Sequence, residues 1–232
     1  MLFISPPFGN YISLPKTTSI HGSFTNEPRE GLFKQILKTL RYSFENKGWI
    51  NKIGLRNKGI DWALKNVPQK DVISIAILDK TDIPIMLKKI PQERNIEINV
   101  SCPNAEKEMI NEGLKDFINP ERKWCIIKIS PHSTQADIDM YYKTGFRQFH
   151  CCNTLPVKNG GLSGQSLIPY TKEKIEYIKI YPDCEIIAGG GIQSIETYNL
   201  YKQLGSHHTS ISTIFFHPIL FTKFYYNYLS ST

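Results

Sequence analysis

The sequence has no run approaching the ~20 consecutive apolar residues that a membrane-crossing helix needs. Its opening, Met1-Leu2-Phe3-Ile4-Ser5-Pro6-Pro7, has neither the basic region nor the apolar length of a signal peptide. The five cysteines, Cys102, Cys125, Cys151, Cys152 and Cys184, form no CxxC pair and no metal-ligand spacing. An odd number without a framework implies reduced thiols and a cytoplasmic setting. The six histidines show no HxxxH or HxH pattern, so no metal site is expected. There is no internal repeat and no low-complexity linker, and the chain is expected to form a single domain over residues 1–232. Long basic runs are absent too. The net charge of +7 comes from lysines scattered along the chain, which predicts a generic basic surface rather than a nucleic-acid partner.

What is present is an ordinary globular composition, 41% hydrophobic and 21% charged. From residue 70 onward, short apolar, β-branched runs alternate with amphipathic stretches. The runs Val72–Ile77, Ile96–Ser101, Trp124–Ile129, Gln148–Cys152, Glu185–Ala188 and Thr209–Thr213 have the length and composition of buried parallel strands. Between them, Ile138, Tyr141 and Tyr142 fall at helical spacing before Gly145. Ile195, Tyr198, Tyr201 and Leu204 do the same before Gly205. In the first third, Thr18–Thr25 suits a strand, while Leu32–Phe44 and Ile60–Val67 suit helices. This alternation implies an α/β fold with a parallel sheet, doubly wound or closed. Seven strand candidates follow Thr18, and residues 1–16 are too few for a strand plus a crossover helix. A (β/α)8 TIM barrel with a reduced first strand-helix unit fits that count, and 232 residues lies near the roughly 250 of such barrels.

Chemically distinctive residues gather at the C-terminal ends of the expected strands, where barrel enzymes build their sites. They are Asn51-Lys52-Ile53-Gly54-Leu55, Asn99-Val100-Ser101-Cys102-Pro103-Asn104, Lys128, Cys152-Asn153-Thr154, Gly160-Gly161-Leu162-Ser163-Gly164 and Gly189-Gly190-Gly191-Ile192. Taken singly, each has a plain structural explanation. A free cysteine is usually just buried, asparagine is common at turns, a strand lysine can snorkel to water, and a glycine run is usually a turn.

As an ordered set, with Gly22-Ser23 and Pro28-Arg29-Glu30-Gly31 ahead of them, these segments resemble the dihydroorotate dehydrogenase family over about residues 18–218. The resemblance implies FMN as cofactor and the oxidation of dihydroorotate to orotate in pyrimidine biosynthesis. Cys102 would be the base that removes the C5 proton while hydride leaves C6 for the flavin N5. It would bind substrate through Asn51, Gly54, Leu55, Asn104, Asn153 and Thr154, whose amides both donate and accept, as a pyrimidinedione edge requires. Flavin contacts fall to Gly22, Ser23, Asn99 and Lys128, the lysine facing the N1/O2 edge. The phosphate falls to Gly164, Gly190, Gly191, Ser212 and Thr213. Barrels of this family often pair as homodimers. The electron acceptor stays open between fumarate, quinone, NAD and oxygen. A second active-site lysine of the family has no clear counterpart, Lys16 being the nearest substitute, and the segment after Gly31 lacks the family's Asn-Pro. A non-catalytic descendant, or a reductase of another pyrimidine or of uridine in tRNA, stands as the alternative.

Overall fold

The computed structural model describes residues 1–100 and 113–231. In chain order the strands are β1 (Leu2–Ile4), β2 (Thr17–Phe24), β3 (Arg41–Ser43), β4 (Gly48–Asn51), β5 (Val72–Ile75) and β6 (Ile96–Asn99). They continue with β7 (Cys125–Lys128), β8 (Gln148–Cys151), β9 (Leu155–Val157), β10 (Gly160–Gly164), β11 (Glu185–Gly189) and β12 (His208–Ile211). The described helices are α1 (Leu32–Thr39), α2 (Ile60–Asn66), α3 (Asp82–Lys89), α4 (Gln135–Thr144), α5 (Ile168–Ile178), α6 (Ile195–Gln203) and α7 (Pro218–Ser231).

Eight strands close into a parallel barrel in the ring order β1-β12-β11-β8-β7-β6-β5-β2. The expected (β/α)8 barrel is therefore the observed fold, and β1 supplies the eighth strand from the opening segment. The expected reduction of the first unit is also observed. Only a 3-10 turn at Phe8–Asn10 joins β1 to β2, where a crossover helix would normally lie. The side chain of Asn10 substitutes for part of the missing packing: its Oδ1 accepts from the Gly22 amide at 2.7 Å and its Nδ2 donates to the Gly22 carbonyl at 3.3 Å. Outside this stretch, α7 reaches back, with Tyr225 and Tyr228 hydroxyls donating to the carbonyls of Pro15 and Lys16 at 2.9 and 3.0 Å.

Strand alternation sorts the side chains into two cores. One face of each barrel strand points outward and packs under the helices; Ile73, Ile75, Ile96, Ile98, Ile127 and Phe149 belong to that large outer cluster. The other face points into the barrel, where Phe3, Ile20, Val72, Trp124, Ile126 and Ile187 form a separate compact plug. Helix ends follow local rules: α4 opens on a Thr134–Asp137 capping box and closes on Gly145 in the left-handed conformation.

Two differences from the sequence expectation concern the loops. The helix expected over Leu32–Phe44 stops at Thr39, and Arg41–Ser43 is a strand. Leu40 turns extended, the Lys52 amide donates to the Thr39 hydroxyl, and Tyr42 packs edge-on against Trp49 across the strand pair. Those cross-strand contacts outweigh helical spacing in a short segment. The Gly-rich stretch from Gly160, which is not among the expected strands, is the strand β10. Together β3-β4-β10-β9 make a four-stranded antiparallel sheet. Its strands come from the segments that follow β2 and β8, which stand opposite one another in the ring, so the sheet roofs the barrel mouth.

Candidate active site

Above the apolar plug, the inward positions turn polar. On β6, Glu97 and Asn99 share the inner face; on β7 it is Lys128, on β8 His150, and on β5 Ser74. Glu97 is completely buried, and Lys128 and His150 nearly so. An isolated carboxylate there would be costly, so its partners carry the arrangement. Glu97 Oε2 accepts from His150 Nδ1 at 2.5 Å, Oε1 accepts from the Ser74 hydroxyl at 2.8 Å, and Lys128 Nζ stands 3.5 Å from Oε1. Burial alone would push the Glu97 carboxyl up, but the Lys128 ammonium and the His150 and Ser74 hydrogen bonds outweigh it and hold it at about 2. Burial lowers His150 against the opposing pull of Glu97. At neutral pH the cluster is thus an ionised Glu97–Lys128 pair with a neutral His150 donating from Nδ1.

A line of hydrogen bonds leads from this cluster to the mouth. Ser74 meets Ser23 (2.9 Å between hydroxyls), Asn99 Nδ2 donates to Ser23 at 2.9 Å, Asn153 Nδ2 donates to Asn99 Oδ1 at 2.8 Å, and the Thr154 amide donates to Asn153 Oδ1 at 2.9 Å. The structure therefore brings together Ser23, Asn99, Lys128, Asn153 and Thr154, and Gly22 adjoins them on β2. Asn51 arrives from the roof: it pairs with Gly161, and a side chain added at Gly161 would collide with Thr154. Gly54 and Leu55 both adopt positive φ in the turn beyond β4, and the Leu55 carbonyl accepts from Asn57 at 2.7 Å. Cys102 and Asn104 lie outside the described residues, in the segment that follows β6.

The glycine set clusters at the ends of β10 and β11. Gly190 and Gly191 have φ of +88° and +79°, and a Cβ at either would run into Leu167 or Ile168; Gly164 lies beside Gly191. Leu167 and Ile168 thus pack directly on these glycines, and the backbone here carries no side chain of its own, a composition suited to close approach of a phosphate. Ser212, donating to the Pro6 carbonyl at 3.0 Å, and Thr213 begin the 3-10 turn after β12. The residues present fit a flavin mononucleotide on both counts, a cation inside the barrel and glycine backbone at the last strands.

Lys16 does not join this site. It is exposed and precedes β2, at the opposite end of the barrel, so it cannot stand in for a second active-site lysine. That opposite end holds its own groove, lined by residues such as Arg122, Cys125, Arg147 and Glu185, away from the polar cluster. His207 and His208 are structural: His207 Nδ1 accepts from the Ile186 amide, and His208 packs edge-on to Phe3 and Trp124. Among the described residues no group of His, Cys, Asp and Glu is arranged to hold a metal. No helix among them is long and apolar enough to cross a membrane. Sequence reasoning singled out neither Ser74 nor Glu97 nor His150. The available signal was polar residues two apart on otherwise apolar strands, as in Glu97/Asn99 and Gln148/His150.

A parallel α/β barrel with converging polar side chains at its C-terminal mouth defines the class: a barrel enzyme scaffold with its site at the strand ends. Comparison with known proteins narrows this. The chain is 26% identical over 257 residues to the catalytic subunit of dihydroorotate dehydrogenase B (NAD(+)) of Thermotoga maritima, covering 93% of each chain. It is 28% identical over 233 residues to the corresponding subunit of Latilactobacillus sakei, covering 80% of this chain and 71% of the relative. It is 26% identical over 194 residues to a putative dihydroorotate dehydrogenase A (fumarate) of Streptococcus agalactiae, covering 66% of this chain and 63% of the relative. Among solved structures, the dihydroorotate dehydrogenase of Eimeria tenella in complex with ferulenol superposes with a TM-score of 0.69 at 16% identity. That match covers 96% of this chain and 78% of the other, and its likeness is one of fold. No family model matches the chain. In sequence and in fold, the chain resembles the dihydroorotate dehydrogenases.

Proposed function

We propose that this barrel binds FMN and oxidises dihydroorotate to orotate. The observation that carries the reading is the hydrogen-bonded line from Thr154 and Asn153 through Asn99, Ser23 and Ser74 to the buried Glu97–Lys128 pair. It joins the asparagines suited to a pyrimidinedione to the one buried cation among the described barrel-interior residues suited to a flavin edge. FMN, when bound, supplies the acceptor for the hydride from C6. Lys128 places positive charge where negative charge develops, and Glu97 fixes where Lys128 sits. Gly164, Gly190 and Gly191, with Ser212 and Thr213, hold the phosphate through backbone and hydroxyl donors.

On the substrate side, Asn51, Asn104 and Asn153 orient the ring, with Gly54, Leu55 and Thr154 shaping the wall beside it. The roof sheet over the mouth limits water. Cys102 takes the C5 proton as general base. The relatives' names divide between NAD(+) and fumarate as partners in the reaction.

The direct test is an absorbance spectrum of the purified protein, before and after anaerobic dihydroorotate. A visible flavin band that bleaches with substrate supports the reading; a colourless protein that takes up no FMN sinks it. Lys128→Ala should weaken flavin binding or reduction, and unchanged occupancy with unchanged reduction kinetics would remove Lys128 from the site.

A further inference from the structure

We propose that His150 is a positioning residue that balances charge beneath the site, taking up one proton when negative charge appears beyond Lys128. This rests on the reading that a flavin lies over Lys128. The geometry makes Glu97 the shared partner of two groups, Lys128 on one oxygen and His150 on the other. The His150 ring bridges two strands: Nδ1 faces Glu97 on β6, while a Cβ built on Gly189 of β11 would come within 3.0 Å of Nε2. Gly189 directly precedes Gly190 and Gly191, so the second ring nitrogen lies against the backbone at the C-terminal end of β11.

At rest the cluster is neutral, with Glu97 and Lys128 cancelling and His150 uncharged. A new anion above Lys128 engages the ammonium that until then compensated Glu97. The Glu97 carboxylate is left under-compensated in a fully buried position, where unbalanced charge is most costly. A proton from solvent, bound at His150 Nε2, restores the balance without moving any heavy atom. The charged groups facing His150 are Glu97 from β6 and Lys128 from β7. β11 presents Ile187 and Gly189, and the nearby Cys152 thiol stays neutral because burial pushes it up to about 12.

His150→Asn is the informative variant, because an Asn Nδ2 occupies the same distance from the backbone as His Nδ1. It preserves the hydrogen bond to Glu97 and removes the titrating nitrogen. Two readouts apply to the flavin-loaded protein. The pH dependence of the flavin midpoint potential near pH 7 should show one more proton per two electrons in the parent than in His150→Asn. Imidazole 15N NMR should show His150 singly protonated in the oxidised protein and doubly protonated after chemical reduction. If His150→Asn does not fold, His150→Gln provides the assignment and the NMR of the parent decides. Equal proton counts, or an imidazole that stays neutral on reduction, overturn the proposal while the flavin reading stands. A protein that binds no flavin overturns both, and its lack of colour tells that outcome apart.

Discussion

The barrel interior has two regions, one apolar and one polar. The lower half is filled by Phe3, Ile20, Val72, Trp124, Ile126 and Ile187, a plug without a charge. The upper half holds Ser74, Glu97, Asn99, Lys128 and His150; on β5 and β7 it lies two residues beyond the plug residues Val72 and Ile126, while β6 and β8 give only polar members. The lower half is held by burial and shape, which are insensitive to pH and tolerant of nothing but volume. The upper half is held by paired polar groups, each of which is costly if its partner is lost. Stability and chemistry are thus separated along the barrel axis, by one step of strand alternation.

The largest expected effect tests the proposed chemistry itself. Cys102→Ala should keep the fold and flavin while slowing flavin reduction by dihydroorotate ~10²–10⁴-fold, the usual contribution of a positioned base. Anaerobic stopped-flow at the flavin band measures this, and parental rates would assign the segment a structural role. Cys102→Ser should retain part of the rate, with a more alkaline profile.

Next comes a matched pair across the two halves. Glu97→Ala strands Lys128 and His150 and should cost about 3–5 kcal/mol in denaturant unfolding. Phe3→Ala opens a cavity and should cost a similar ~3–5 kcal/mol. Flavin affinity separates them: it should fall in Glu97→Ala and be nearly unchanged in a folded Phe3→Ala protein. Equal losses in both would erase the division between the halves.

A smaller effect concerns the mouth. Asn153→Ala leaves Asn99 and the ring of a bound pyrimidine under-partnered, which should weaken orotate binding by about 1–3 kcal/mol, or roughly ten- to hundredfold. Titration of the flavin spectrum with orotate reads it, and unaltered affinity would detach Asn153 from the substrate.

The smallest is a pH signature. Glu97 is held at about 2 in the folded protein, below its ordinary 4.5. Its contribution is therefore fully present above 4.5 and is lost as pH falls from there through 2. Urea midpoints between pH 2 and 6 should fall less steeply in Glu97→Gln than in the parent. Parallel curves would show that Glu97 gains nothing from its partners.

Much of this was legible from the sequence. The six strands from Val72 onward are found where their short β-branched runs place them, because parallel strands buried on both faces leave an apolar signature, and the strand expected over Thr18–Thr25 is observed at Thr17–Phe24. Five of the sequence-predicted site residues, Ser23, Asn99, Lys128, Asn153 and Thr154, fall on one connected line of bonds and ion pairs, since strand ends of a barrel converge by construction. The roof sheet was not legible. Its strands are short and interrupted by glycine, and their pairing joins Trp49 to Ser163, partners far apart in sequence. His150 was missed for a related reason. Its partner Glu97 is 53 residues away, and only the pairing of β6 and β8 on either side of β7 puts them on facing inner positions.

The seam of the barrel has a bearing on how the molecule is made. Leu2 of β1 pairs on one side with Thr17 and on the other with Thr209. On a ribosome, β1 leaves the exit tunnel ahead of every other strand and must wait, with one edge unpaired, until β12 has emerged. Synthesis at about 5–20 residues per second makes that wait roughly ten seconds or more. During it the polar upper half exists only in part, and His150 can meet Glu97 before the ring is shut, because β6, β7 and β8 are already neighbours. The nascent chain can thus assemble its charged cluster while it is still an open sheet, and close the cylinder around it last.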